Sequence, residues 1–310
     1  MTESSRSDAD DFIQLRPLLF SLTYRMCGSV ADAEDIVSEA YLRLRRTQQA
    51  GTAIESLRAY LCAVVTRLSI DHLRSARVRR ESYFGTWLPE PLVDADATPD
   101  ADHADLADSL SMAFLIVLET LTPTERAAFL LRDVFEYDYA GIAAIVKRTE
   151  PNCRQLVARA RRQIQTRRPR FDATRQERDD LAAKFFSAVQ NGDIEPLIHL
   201  LAEDVIAYGD GGGNGPSLPR PINGRDKVLR LLTAVSDAVR EFDLHLEQVQ
   251  VNGQPGALLK DQNGQLLNVI GLDILDGVVQ TVRAVVNPDK LRHLAPLIGP
   301  DHPLRRGSVR

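Results

Sequence analysis

The spacing of the apolar residues changes once along this chain, and that change limits the folds open to it. From Phe12 onward the apolar positions recur at helical intervals: Leu15, Leu18, Leu19 and Leu22; then Ala33, Ile36, Val37, Ala40 and Leu44; then Leu57, Leu61, Val64 and Leu68. Beyond Asp204 the runs become strand-like and are separated by Asn252-Gly253, Asn263-Gly264 and Asp276-Gly277, dipeptides suited to hairpin turns. Helices first and a meander of strands afterwards read as a multidomain chain, with helical modules followed by a separate α+β domain.

Local signals divide the helical part further. Ser29 caps a helix with Asp32 three residues on, and Thr122 caps another that begins at Pro123. A short amphipathic helix over Tyr139–Val146, a turn at Lys147–Thr149 and a helix over Glu150–Gln165 make a helix-turn-helix. Its second helix turns Cys153, Leu156, Val157, Ala160 and Ile164 inward and Asn152, Arg154, Gln155, Arg159, Arg161 and Arg162 outward. The stretch 80–108 loses the periodicity and gains Gly85, Pro89, Pro91 and Pro99, as a linker does. In the last part, strands are expected at Asp204–Tyr208, Leu244–Val251, Gly256–Lys260, Gln265–Leu275 and Val278–Val286, with a helix at Arg225–Val239. The expected boundaries are 1–82, a linker at 83–108, a second module at 109–168, a link at 169–177, the α+β domain at 178–294 and a flexible tail at 295–310.

The net charge of -5 conceals an uneven distribution. Arg43 to Arg80 holds nine arginines and two acids, and Lys147 to Arg170 holds nine bases and one acid. Between them, Pro89 to Asp108 holds seven acids and no base. Two basic clusters on either side of an acidic tether are the footprint of two nucleic-acid-binding modules. At the start of the second helix of the helix-turn-helix, Asn152, Arg154 and Gln155 suit base edges in a major groove, and Arg159 and Arg162, further along, suit phosphates. On an earlier helix Asp32, Asp35 and Glu39 form an acidic stripe, wrong for DNA and right for a basic protein surface. Cys27, Cys62 and Cys153 have no metal-ligand spacing, so neither a metal nor a cofactor is expected. With no apolar run long enough for a membrane and no signal-like start, a cytoplasmic location is expected.

Three segments carry a resemblance: Asp32-Ala-Glu-Asp-Ile-Val-Ser-Glu39; Leu57-Arg-Ala-Tyr-Leu with Ile70-Asp-His-Leu-Arg74; and Leu121-Thr-Pro-Thr-Glu-Arg-Ala-Ala-Phe-Leu-Leu-Arg132. They look like bacterial RNA polymerase sigma factors of the extracytoplasmic-function (ECF) type. The resemblance implies a first module, sigma domain 2, that binds the minus 10 element and the polymerase clamp. It implies a second module, sigma domain 4, that binds the minus 35 element and the polymerase flap. Arg67, Asp71, His72, Arg74, Arg77 and Arg80 then line the region that meets the opened minus 10 strand, and Asp32, Asp35 and Glu39 dock on polymerase. The last domain resembles the SnoaL-like, NTF2-like fold, a curved antiparallel sheet wrapped around helices as a cone.

Three further motifs look like those of the ECF subgroup with a fused SnoaL-like extension. They are Trp87-Leu88-Pro89-Glu90-Pro91-Leu92, Asp210-Gly211-Gly212-Gly213 and Asn287-Pro288-Asp289-Lys290-Leu291. The chain's one Trp between stiffening prolines is a natural docking anchor, and the glycines permit close backbone approach. The expectation is that the last domain grips the linker near Trp87 and regulates in cis, with no separate anti-sigma factor required. The main reading is therefore a transcription initiation factor without catalytic residues, whose partners are core RNA polymerase and promoter DNA. One alternative makes the last domain a small-molecule sensor or a cyclase- or isomerase-like enzyme using Tyr208, Asp210 or Asp273. Another is a one-component helix-turn-helix repressor.

Overall fold

The computed structural model describes residues 3–81, 83, 85–94, 110–165, 174–213, 218 and 220–306, and their side chains except at 3–9, 76–81, 94 and 306. The chain forms two compact units, one of Met1–Glu81 with Val117–Arg168 and the other of Ser82–Ile116 with Pro169–Arg310.

The first unit is helical. Helices α1 (Glu3–Cys27), α2 (Val30–Gln49) and α3 (Leu57–Glu81) pack on one another and bury the residues that the helical spacing singles out, among them Leu19, Leu22, Ala33, Val37, Ala40, Leu44 and Leu61. Each fully buried leucine contributes about 1.5–3 kcal/mol. Gly28, at φ 67°, turns the chain out of α1, and the Ser29 hydroxyl accepts the Asp32 amide at 3.1 Å to start α2. After a short helix α4 (Met112–Leu118) come α5 (Pro123–Asp133), α6 (Tyr139–Val146) and α7 (Glu150–Gln165), which also pack together. Thr122 and Glu125 cap α5 reciprocally, and Asp138 caps α6 by accepting the Gly141 amide at 2.7 Å. Lys147 ends α6 in the left-handed conformation (φ 52°), which supplies the turn.

Helix α3 also packs against α5 and α6. The C-terminal carbonyls of α6 have no helical donors, and Arg67 supplies them: its Nη2 donates to Ala144 O at 2.8 Å and its Nε to Ile145 O at 2.9 Å. Arg126 is buried and donates through Nη1 to Met26 O, in the last turn of α1, at 2.5 Å, and to Glu119 at 2.7 Å.

The second unit is built on a seven-stranded sheet. Its elements are β1 (Val93–Asp94), α8 (Arg175–Asn191), α9 (Ile194–Leu200), β2 (Leu201–Asp210), β3 (Ile222–Asn223), α10 (Arg225–Glu241), β4 (His245–Val251), β5 (Gln254–Lys260), β6 (Leu266–Leu275) and β7 (Val278–Val285). The strand order is β1-β4-β5-β6-β7-β2-β3. Asn252-Gly253 and Asp276-Gly277 hold positive φ at both positions and close the β4–β5 and β6–β7 hairpins. The sheet is mixed, which corrects the antiparallel expectation: β2 and β7 run parallel. Their connection passes through β3, α10 and the strands β4, β5 and β6, so no tight turn forces opposite directions.

Strand alternation gives the sheet two apolar faces. One is covered by α8, α9 and α10 and buries Phe185, Phe186, Val205, Ala207, Leu232, Ala257, Leu272, Ile274 and Val279. The other buries Val251, Leu258, Leu266, Val269 and Val285 beneath Leu88, Met112 and Leu291. The segment expected to be a flexible tail is packed through its first half. Leu266 donates its amide to Pro296 O at 2.8 Å, Ile298 donates to Leu266 O at 3.1 Å, and Ile298 is buried with Val239, Leu244, Leu259 and Leu267. Its apolar Leu297 and Ile298 account for the difference, since leaving them in water would cost burial energy.

Candidate functional site

In the first unit, α7 buries Cys153, Val157, Ala160 and Ile164 and leaves Asn152, Arg154, Gln155, Arg159 and Arg162 exposed on its opposite side. Arg154 pairs with Glu150 at 3.1 Å. Arg161 is a structural residue, held by both oxygens of Asp133, with Nε to Oδ2 at 3.0 Å.

The residues expected at the minus 10 strand fall into four groups. Arg67 is engaged on the α6 carbonyls described above. Asp71 and Arg74 are exposed, 3.5 Å apart. His72 is half-buried, with Nε2 3.1 Å from Asp32, so a residue of the expected DNA set and one of the expected polymerase set meet. Arg77 and Arg80 lie on α3, with side chains outside those described. Asp35 is exposed on α2, and Glu39 accepts from Arg43 at 2.9 Å.

In the second unit the three motifs converge. Asp210, at the end of β2, is fully buried, and its carboxylate accepts three donors: the Leu88 amide at 2.7 Å, the Lys290 ammonium at 2.7 Å and the Tyr83 hydroxyl. Lys290 also donates to Leu88 O at 2.5 Å, so the buried ion pair holds both polar groups of one linker residue. The ammonium lies 4.4 Å from the Trp87 ring centroid and 4.9 Å from that of Tyr83, within cation–π range. Asn287 donates to the Tyr83 hydroxyl at 2.9 Å, and its own oxygen accepts the Asp289 amide to start the 3₁₀ turn Pro288–Lys290. Burial, together with the hydrogen bond to Asp210, pushes the Tyr83 phenol above its ordinary pKa.

The glycines make this approach possible. Gly212 has φ 59°, and a Cβ there would stand 2.6 Å from Asn287 Cγ. Gly213 also has positive φ, while Gly211 is buried between Asp210 and that turn. Further along the linker, Pro89, Glu90 and Pro91 are buried, and His293 Nε2 is 2.9 Å from Pro91 O. Leu92 and Asn252 exchange hydrogen bonds, Asn252 reaches Leu110 O at 3.0 Å, and Val93–Asp94 pairs with β4 as the edge strand β1. Leu291 is buried, and Asp289 is exposed beside Arg292.

Three contributors escaped the sequence reading: Tyr83, Asn252 and Arg126. Tyr83 sits four residues before Trp87 in an aromatic run, a signal that was available. Asn252 reads only as a turn residue and Arg126 only as part of its segment, since a buried polar side chain reaching another segment leaves no local pattern of that contact. Tyr208 and Asp273, the residues named for an enzyme, lie with Asp210 on the linker-facing side of the sheet by strand alternation. Asp273 is paired with Arg283, whose guanidinium lies 5.7 Å from the Tyr208 ring centroid. Among the described residues there is no cluster of ligands for a metal, and no helix is long and apolar enough to cross a membrane.

The first unit thus joins a basic helix-turn-helix to a second, arginine-rich helical module, and both match the conserved regions of sigma-type transcription initiation factors. Residues 12–79 match Sigma-70 region 2 and residues 111–164 match Sigma-70 region 4. The chain is 36% identical to the ECF RNA polymerase sigma factor SigJ of Mycobacterium tuberculosis, across 91% of this chain and 93% of that one. It belongs to the ECF RNA polymerase sigma factor family. It is 29% identical to SigG of the same species, over 86% of this chain and 77% of that one. The crystal structure of M. tuberculosis SigJ superposes with a TM-score of 0.71 at 33% identity, covering 96% of this chain and all of that one.

Proposed function

We propose that this sigma factor directs core RNA polymerase to promoters under control in cis, through the hold of its C-terminal domain on the linker. In this reading α7 presents Asn152, Arg154 and Gln155 to the minus 35 element, with Arg159 and Arg162 on phosphates. Arg67, Asp71, His72, Arg74, Arg77 and Arg80 serve the opened minus 10 strand, and Asp32, Asp35 and Glu39 dock on polymerase. Arg67 reaches DNA only after leaving the α6 carbonyls. Tyr208, Asp210 and Asp273 act as structural residues rather than catalytic ones.

The observation that carries the regulatory part is the Leu88 peptide, bonded on both sides by the buried Asp210–Lys290 pair. The segment Ser82–Ile116, which contains the linker, connects the two parts of the first unit, so holding it limits how freely the two promoter-reading modules can separate. Start-site mapping with core polymerase tests the whole reading, comparing the full chain, Trp87→Ala, and chains ending near residues 170 and 286. Specific initiation by the full chain, altered by Trp87→Ala, is expected. No specific initiation from any promoter would overturn the sigma assignment; equal initiation by the full chain and Trp87→Ala would overturn the control in cis.

A further inference from the structure

The recognition surface contains a side chain outside the recognition helix that the promoter reading leaves without a role. Tyr139 is the first residue of α6, fixed there by the Asp138 cap. Its half-buried ring has two guanidinium groups against it: Arg132 of α5 at 5.0 Å and Arg154 of α7 at 4.9 Å from the centroid. Arg132 is itself fixed, donating to Tyr137 O at 2.9 Å. Arg154 is held on a second side by Glu150, one turn earlier on α7, yet its side chain stays 56% exposed.

An exposed arginine is a long, mobile chain, and bidentate reading of a base needs its planar fork in one orientation. A ring against the guanidinium and a carboxylate at its Nη2 restrict that freedom while leaving donors open to a groove. We infer that Tyr139 is a positioning residue for promoter recognition, orienting the Arg154 guanidinium toward one base pair of the minus 35 element. The inference rests on the proposed reading in which α7 enters the major groove. It assigns sequence discrimination to the first helix of the helix-turn-helix as well as the second.

The test is transcription by the full chain with core polymerase on promoters varied singly at each minus 35 position. Arg154→Ala is expected to flatten the preference at one position by about 10-fold. Tyr139→Leu, which keeps an apolar side chain, is expected to weaken the preference at that same position by about 3-fold. Tyr139→Phe keeps the ring and should keep the preference, and Tyr139→Leu combined with Arg154→Ala should discriminate no worse than Arg154→Ala alone. The ring-current displacement of the Arg154 Hε resonance in the unsubstituted chain reports the contact without any substitution, and an undisplaced resonance would count against the inference. If Tyr139→Leu lowers all promoters equally or changes nothing while Arg154→Ala flattens one position, the positioning role fails and the promoter reading stands. If Arg154→Ala leaves every preference intact, the assignment of Arg154 to base reading fails, and the positioning role with it.

Discussion

Removing the Asp210 carboxylate should free the linker far more than its single side chain suggests. In Asp210→Ala the Leu88 amide loses its acceptor, and the buried Lys290 ammonium loses its carboxylate while keeping Leu88 O and the two ring faces. Breaking a buried pair from one side costs about 3–5 kcal/mol, because the remaining charge is left uncompensated. Even the lower figure multiplies the open population of the linker by roughly 100-fold. Chymotrypsin cleaves after aromatic residues, and Trp87 lies within the held segment, so its cleavage follows that population when opening is fast. We expect the full-length Asp210→Ala chain to be cut after Trp87 about 100 times faster than the parent, with unchanged far-UV circular dichroism. Asp210→Asn, which keeps an oxygen for the Leu88 amide, should fall between. A rate within about threefold of the parent would refute the reasoning, since the threshold is far below the expected change.

Other substitutions probe the rest of the fold. Arg126→Met should lower the melting temperature of the first unit by about 6–12 °C in calorimetry, because Met26 O and Glu119 lose a buried charged donor worth about 3 kcal/mol. Gly256→Ala should destabilise the second unit by about 1–3 kcal/mol in urea titrations, since the new methyl meets the Ile270 carbonyl and the Val251 side chain, and the carbonyl is tied into the sheet. Cys27, Cys62 and Cys153 are all buried, and burial pushes the Cys62 thiol above its ordinary pKa. A thiol reagent at pH 8 should therefore modify the folded chain at least about 100 times more slowly than the chain in urea, with thiolate scarce and access blocked.

Much of this molecule was legible from spacing and capping. Ser29, Thr122 and the Asn252-Gly253 and Asp276-Gly277 turns stand where local chemistry puts them, and the helix over Tyr139–Val146 has the bounds its pattern indicates. These are short-range decisions, made by neighbours in the chain. The features that escaped are long-range. Val93–Asp94 lies among prolines and acids and carries no strand pattern, yet it pairs with β4 because the hold on Leu88 and Leu92 delivers it there. The parallel β2–β7 pairing follows from a crossover whose direction no local residue encodes. In the candidate site, the motif residues Asp210 and Lys290 were visible as a docking set, but their mutual pairing and their grip on a backbone peptide required the fold. Conversely, the family resemblance assigns Arg67 to DNA, while the structure turns it to the carbonyls of α6.

The linker residue Leu88 and its lysine, Lys290, are 202 positions apart, and this separation orders events on the ribosome. At roughly 5–20 residues per second, the aromatic linker waits about 10–40 s for the residues that will hold it. The first segment of the first unit precedes that interval, and the second is synthesised within it. A nascent chain therefore carries both sigma regions before the Lys290 hold on its linker exists, and a transcript broken before codon 290 would yield the sigma regions without that hold.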